Sequence, residues 1–256
     1  MNTPHLLLLG CPHCGLDDLA RAAARAEGWT YAGDLQPFTA PTLRELLLVW
    51  RRAQEPMPVD LVATLARAYP ASGDPRADAE AALELRGEWT GAQLLRDLAE
   101  KFAPARLVFC ETTAALRLPQ LERWLDCGLP LHCTQVVPTP AAFAAAATEM
   151  YRGRLFVPPD YRSHDGRWPR FEPQLVWYRL QLNYEALRAQ LPAASWTRLA
   201  QTDAAALARQ PAATFMAALL EAGMPAVTRA EPPPELAPEV LDLARRYGLV
   251  REAERV

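Results

Sequence analysis

Lysine is almost missing from this 256-residue chain: Lys101 is the only one, and arginine supplies the rest of the 27 basic residues. Chemistry that needs a lysine in a phosphate-binding loop near the start of the chain is therefore excluded. Basic charge is not in surplus either. A net charge of -3 lacks the footprint of a protein that grips nucleic acid through its phosphates, so no nucleic-acid partner is expected. No stretch approaches the ~20 consecutive apolar residues that a membrane-spanning helix needs. The first residues carry no basic region ahead of their four leucines, which argues against a secretory signal. The five cysteines, an odd number scattered along the chain, do not make a secreted disulfide scaffold. These absences predict a reduced, cytoplasmic protein with no membrane partner, and internal repeats are absent too.

What is present is ordinary globular composition, half apolar and 22% charged, in a length that suits one large α/β domain. The chain is organised around His5-Leu-Leu-Leu-Leu-Gly-Cys-Pro-His-Cys-Gly15 and the helix former that follows it. An aliphatic run, a turn marked by Gly10, Pro12 and Gly15, and a helix beginning at Leu16 read as strand, loop, helix. In a parallel sheet that arrangement aims loop amides and a helix N-terminus at one spot, which favours an anion or an acidic thiol.

Further strands are expected at Trp29-Ala32, Arg106-Cys110, Leu131-Val137 and Trp196-Ala200. Between the second and third lies a helical block with segments at Leu43-Arg52, Val59-Ala68, Ala77-Leu85 and Thr90-Phe102. Thr113 is expected to cap a helix reaching Cys127, and Thr139 or Pro140 to open an alanine-rich one. A loop from Arg154 to Pro173 is long enough for a lid. Gln174-Leu191 and Asp203-Ala222 read as helices. A division into a main domain over 1–228 and a proline-rich linker with a terminal helix over 229–256 follows. Strands alternating with helices predict a doubly wound parallel sheet, with ligands over the strands' C-terminal ends.

The order of motifs resembles the sulfotransferase family, which uses 3′-phosphoadenosine 5′-phosphosulfate on a P-loop-like fold. Gly10-Cys-Pro-His-Cys-Gly-Leu-Asp17 is similar to the family's first loop in its two glycines and proline. Cys110-Glu-Thr-Thr-Ala-Ala-Leu-Arg-Leu-Pro119, Val136-Val-Pro-Thr-Pro140, Trp177, Thr202-Asp203 and Gly223-Met-Pro225 fall in family order from Pro4 to Pro225. The resemblance implies a P-loop/sulfotransferase fold with a large helical insertion, and a sulfuryl group moved to a small-molecule acceptor. It implies that Gly10, Cys11, Pro12, His13, Cys14, Gly15 and Thr139 bind the cofactor, with His13 as the catalytic cation and Asp34 as general base.

Several side chains depart from that pattern. Leu16 and Asp17 replace the hydroxyl pair that holds the 5′-phosphate, Pro138 the arginine for the 3′-phosphate, Ala146 a serine, and Glu111 a lysine. Charge-assisted hydrogen bonds to phosphate are worth ~1.5–3 kcal/mol each. A second reading follows: an inactive or repurposed member acting as scaffold or protein partner, or using Cys11-Pro-His-Cys14 for metal or thiol-redox chemistry. That tetrapeptide also resembles the active site of thioredoxin-like oxidases, but the helix-forming run after Val137-Pro-Thr-Pro-Ala141 fits that fold poorly. Cys11, Cys14 and Cys110 are the alternative ligand set for a thiophilic metal. His132 and Cys133 read as core. His164, Asp165, Tyr161, Trp168 and Tyr178 could line an acceptor site, and Arg152, Arg154 and Arg162 could supply replacement cations. The acceptor and the oligomeric state, homo-oligomer included, stay open.

Overall fold

Leu6, Leu7, Leu8 and Leu9 are all wholly buried, as a strand between two helical layers requires. The computed structural model describes residues 4–12, 14–53, 56–151, 173–221 and 237–249. His13, the segment carrying His164, Asp165 and the three candidate arginines, and Gly223-Met-Pro225 lie outside them. Five parallel strands, β1 (His5–Gly10), β2 (Trp29–Gly33), β3 (Arg106–Glu111), β4 (Leu131–Val137) and β5 (Trp196–Ala200), form one sheet in the order β2-β3-β1-β4-β5. The chain is therefore α/β with a doubly wound parallel sheet, as expected.

Successive strand residues point to opposite faces, and the core divides accordingly. Leu7, Leu9, Phe109 and Cys133 pack beneath α2 (Leu43–Ala53), α3 (Val59–Ala68), α4 (Pro75–Leu85), α5 (Gly91–Phe102), α6 (Leu118–Leu125), α7 (Pro140–Tyr151) and α8 (Pro173–Arg188). Leu6, Leu8, Val108 and Cys110 pack against α1 (Leu16–Ala23), α9 (Gln201–Leu207) and α10 (Ala212–Leu220). The last helix, α11 (Pro238–Arg246), sends Val240, Leu243 and Ala244 into the larger core, so the terminal segment is part of it. The connection after β1 runs one way and those after β3 and β4 the other. This sets the crevice of a doubly wound fold at the C-terminal end of β1. No described helix is long and apolar enough to cross a membrane.

The insertion is built as expected, each helix starting where a cap allows. Asp74 accepts from Arg76 N and Ala77 N, and Thr90 and Gln93 form a reciprocal capping box. Two expectations are corrected. The helix expected over Asp203-Ala222 is broken into α9 and α10, because Pro211 has no N–H to continue the first and pre-forms the start of the second. Thr113 caps no α-helix: its N–H and hydroxyl turn back to Glu111, a short 3₁₀ turn follows, and α6 starts only at Leu118, with Pro119 in its first turn.

Gly91 supplies a prediction whose sign differs from the ordinary one. Glycine to alanine in a helix usually stabilises by up to ~1 kcal/mol. Here a Cβ would stand 2.2 Å from Pro37 O and 3.0 Å from Phe38 Cδ1. The carbonyl is backbone and cannot step aside, so Gly91→Ala is expected to destabilise by ~1–3 kcal/mol, measured by urea unfolding against wild type.

Candidate functional site

The first loop leaves β1 at Gly10, turns through a Cys14 N–H bond to Cys11 O (3.3 Å), and enters α1 through Gly15. Gly15 is left-handed (φ 72°), which glycine adopts at no steric cost. Three side chains from distant helices fasten the loop. Tyr184 of α8 donates to Gly10 O (2.8 Å), Gln201 of α9 donates to Cys14 O (3.0 Å), and Gln181 of α8 donates to Cys11 Sγ (3.2 Å). None of these three was identified from sequence. Gln181 had a signal, a polar residue on the buried stripe of Trp177, Leu180, Tyr184 and Leu187.

Both loop cysteines are free and buried. Burial raises Cys14 to about 12 while the amides of Cys14, Leu16 and Cys11 pull it down. Burial and the neighbouring Cys14 push Cys11 up as well, against the Gln181 hydrogen bond. Disulfide exchange needs an acidic, accessible thiolate, so the redox reading of this pair has no support in the geometry. The Cys14 sulfur lies back over the end of β1: a Cβ on Gly10 would meet it at 2.6 Å. The loop amides that an anion would use face that sulfur.

Asp34 follows β2 and is partly buried. Thr112 donates to its Oδ2 (3.1 Å), its own N–H donates to Asp60 Oδ2 (3.0 Å), and its Oδ1 is buried without a partner. Burial and then the charge of Glu111 raise its pKa well above the usual carboxylate range, against the Thr112 hydrogen bond. Glu111, at the end of β3, is almost fully buried. Its Oε1 accepts from Thr113 N (2.8 Å), Thr113 Oγ1 (3.0 Å) and Ala114 N (2.8 Å), and its Oε2 from Trp124 Nε1 (3.2 Å). Where the family resemblance implies a cation, this chain keeps a solvated-by-protein carboxylate.

Asp17 also faces acids. It accepts from Arg21 Nε (3.0 Å) and from Tyr31, while Asp60 accepts from Arg21 Nη2 (3.1 Å) and Tyr31 (2.7 Å). Thr139 is committed locally, its hydroxyl accepting from Ala142 N (3.1 Å) at the start of α7. Trp177 is a core residue whose indole donates to Pro138 O (3.0 Å), and His132 pairs with Thr197 in the core (2.9 Å). The ligand set Cys11, Cys14 and Cys110 is not brought together: Cys11 packs on one face of the sheet, Cys14 and Cys110 on the other. A groove of 940 Å³ lined by His5, Arg96, Glu100 and Arg106 opens at the opposite, N-terminal end of the strands.

The architecture has counterparts among solved structures. The sulfotransferase domain from the curacin biosynthetic pathway superposes with a TM-score of 0.66 at 18% identity, over 94% of this chain and 78% of that one. This chain has the sulfotransferase fold. A second sulfotransferase domain, from the Synechococcus PCC 7002 olefin synthase, gives a TM-score of 0.66 at 14% identity over 85% and 73% of the two chains. No protein-family model matches the sequence and no curated protein does. At these identities the likeness is one of fold. The site of this divergent sulfotransferase-fold protein is therefore judged on its own residues. They do not fit 3′-phosphoadenosine 5′-phosphosulfate: the Cys14 thiol takes up loop amides, and acids already bonded to protein donors, Asp17 and Glu111, stand where the resemblance implies phosphate donors.

Proposed function

We propose that this chain is a repurposed sulfotransferase-fold protein, a binding protein that no longer carries 3′-phosphoadenosine 5′-phosphosulfate. The observation behind this reading is the Cys14 sulfur folded over Gly10, in a loop held by Tyr184 at Gly10 O, Gln181 at Cys11 Sγ and Gln201 at Cys14 O. A phosphate entering the loop must displace a buried thiol and gains few donors in return. Losing three charge-assisted hydrogen bonds costs ~4.5–9 kcal/mol, more than a thousandfold in affinity. What the sheet edge offers in exchange is hydrogen-bond acceptors, suited to a ligand that is positively charged or rich in donors.

The second reading, sulfuryl transfer to a small acceptor with Asp34 as base, draws on the place of Asp34 beside Thr112 at the same edge. One titration separates the two. Calorimetry of the full chain with 3′-phosphoadenosine 5′-phosphate is expected to give no heat at millimolar nucleotide. Micromolar binding that disappears in His13→Ala would overturn the proposal and direct the work to acceptor screening.

A further inference from the structure

Cys110 stands among carboxylates. Its sulfur lies on the α1 face of β3, and one oxygen each of Asp17 and Asp60 falls with it in a triangle no wider than 4.8 Å. The three come from separate elements: Asp17 from the first turn of α1, Asp60 from the first turn of α3, Cys110 from the end of β3. Asp34 neighbours this group: its backbone N–H donates to Asp60 Oδ2 (3.0 Å), and its Oδ1 is buried without a hydrogen-bond partner, a condition that costs ~1–3 kcal/mol unless something fills it.

The two carboxylates repel each other, and the counter-charge in contact is the Arg21 guanidinium, bonded to Asp17 and Asp60. Arg21 is 51% exposed and has solvent to withdraw into. Two carboxylates and one thiol make a mixed oxygen and sulfur set. Hard cations such as magnesium and calcium take oxygen alone, whereas zinc accepts both. Zinc–sulfur bonds of ~2.3 Å and zinc–oxygen bonds of ~2.0–2.2 Å span a triangle of this size with small side-chain adjustments.

We propose that Cys110, Asp17 and Asp60, beside the unpartnered Oδ1 of Asp34, bind a divalent ion of the zinc class in exchange for Arg21. Binding releases the thiol proton to solvent and leaves the single Tyr31 hydroxyl proton on one of the two ligating carboxylates. The proposal deepens the acceptor-rich reading above, and its test uses no nucleotide, so the two fail separately.

The experiment is a cobalt(II) titration of the full chain followed by absorption, with zinc as competitor. A thiolate-to-cobalt charge-transfer band at one equivalent, removed by zinc, is expected. Cys110→Ser abolishes the band while Cys11→Ser and Cys14→Ser keep it. Asp17→Asn, at a half-exposed position, weakens affinity by ~10-fold or more. Arg21→Ala strengthens it several-fold, because a competing cation has gone; in a merely structural ion-pair cluster it would not. Absence of a band in the wild-type chain, or a band that survives Cys110→Ser and vanishes in Cys14→Ser, would overturn the assignment.

Discussion

Replacing Trp124 by alanine is expected to remove ~3–5 kcal/mol of stability, enough to leave a domain of ordinary stability marginal. The indole is completely buried between Phe38 and Phe109, with ring centroids 5.3 and 5.4 Å away. Its loss leaves a cavity in the larger core. It also removes the single donor on Glu111 Oε2, stranding half of a buried carboxylate. Trp124→Phe separates the two contributions. It keeps a six-membered ring in the core and loses the N–H with the pyrrole part of the indole, so it should cost ~1–3 kcal/mol. Denaturant unfolding of both variants gives the comparison: equal losses would show that the hydrogen bond carries the whole effect, and an unchanged Trp124→Phe that it carries nothing. The Glu111 pocket is thus a folding element as well as part of the sheet's active edge. A carboxylate is affordable there only because Thr113, Ala114 and Trp124 solvate it.

The pairing of Glu111 with Trp124 also marks how far the sequence could be read. Strand β4 and strand β5 have the bounds expected from their aliphatic runs, because a buried parallel strand announces itself by continuous hydrophobicity between turn residues. The helices of the insertion were equally plain as segments, and Thr42, Asp74 and Thr90 cap α2, α4 and α5, while α3 starts after Pro58 with no side-chain cap. Motif order was enough for the fold, which the two sulfotransferase domains share at 18% and 14% identity. The candidate site was less legible. Gly10, Cys11, Pro12, Cys14 and Gly15 do form one loop over β1. Cys11 and Cys110, however, sit on opposite faces of the sheet. Their strand neighbours alternate, so this follows only from registers that pair Leu8 with Cys110. Asp60 could not be connected with Asp17 and Tyr31 at all, since positions 43 and 29 apart in the chain carry no pattern that announces the contact. Local signals find elements, whereas side chains that meet across elements are fixed by packing.

Asp34 allows the charge reading to be tested through stability. Its folded pKa is raised by burial and by Glu111, with Asp60 adding in the same direction and Thr112 and the Gln36 amide opposing. The unfolded value is ~3.9. Between these two values the folded protein holds a proton that the unfolded chain has released, so stability falls as pH climbs through that interval. Below ~3.9 both states are protonated and Asp34 contributes no slope; above the folded value the full penalty stands. One group contributes at most ~1.4 kcal/mol per pH unit. Asp34→Asn keeps the shape of the neutral acid at every pH. It is therefore expected to flatten the decline and to gain stability over wild type progressively above pH ~4, reaching a constant advantage once Asp34 would have ionised. Glu185 serves as the control, because its sign is opposite. Burial pushes it up, but Tyr247 and Arg198 hold it below the usual value, so its contribution is lost as pH falls and must persist in the variant. Urea unfolding of both proteins from pH 4 to 8 decides the matter. Parallel curves would mean that Asp34 is ionised in the folded protein at acid pH, which would overturn the effect assigned to its burial and to Glu111.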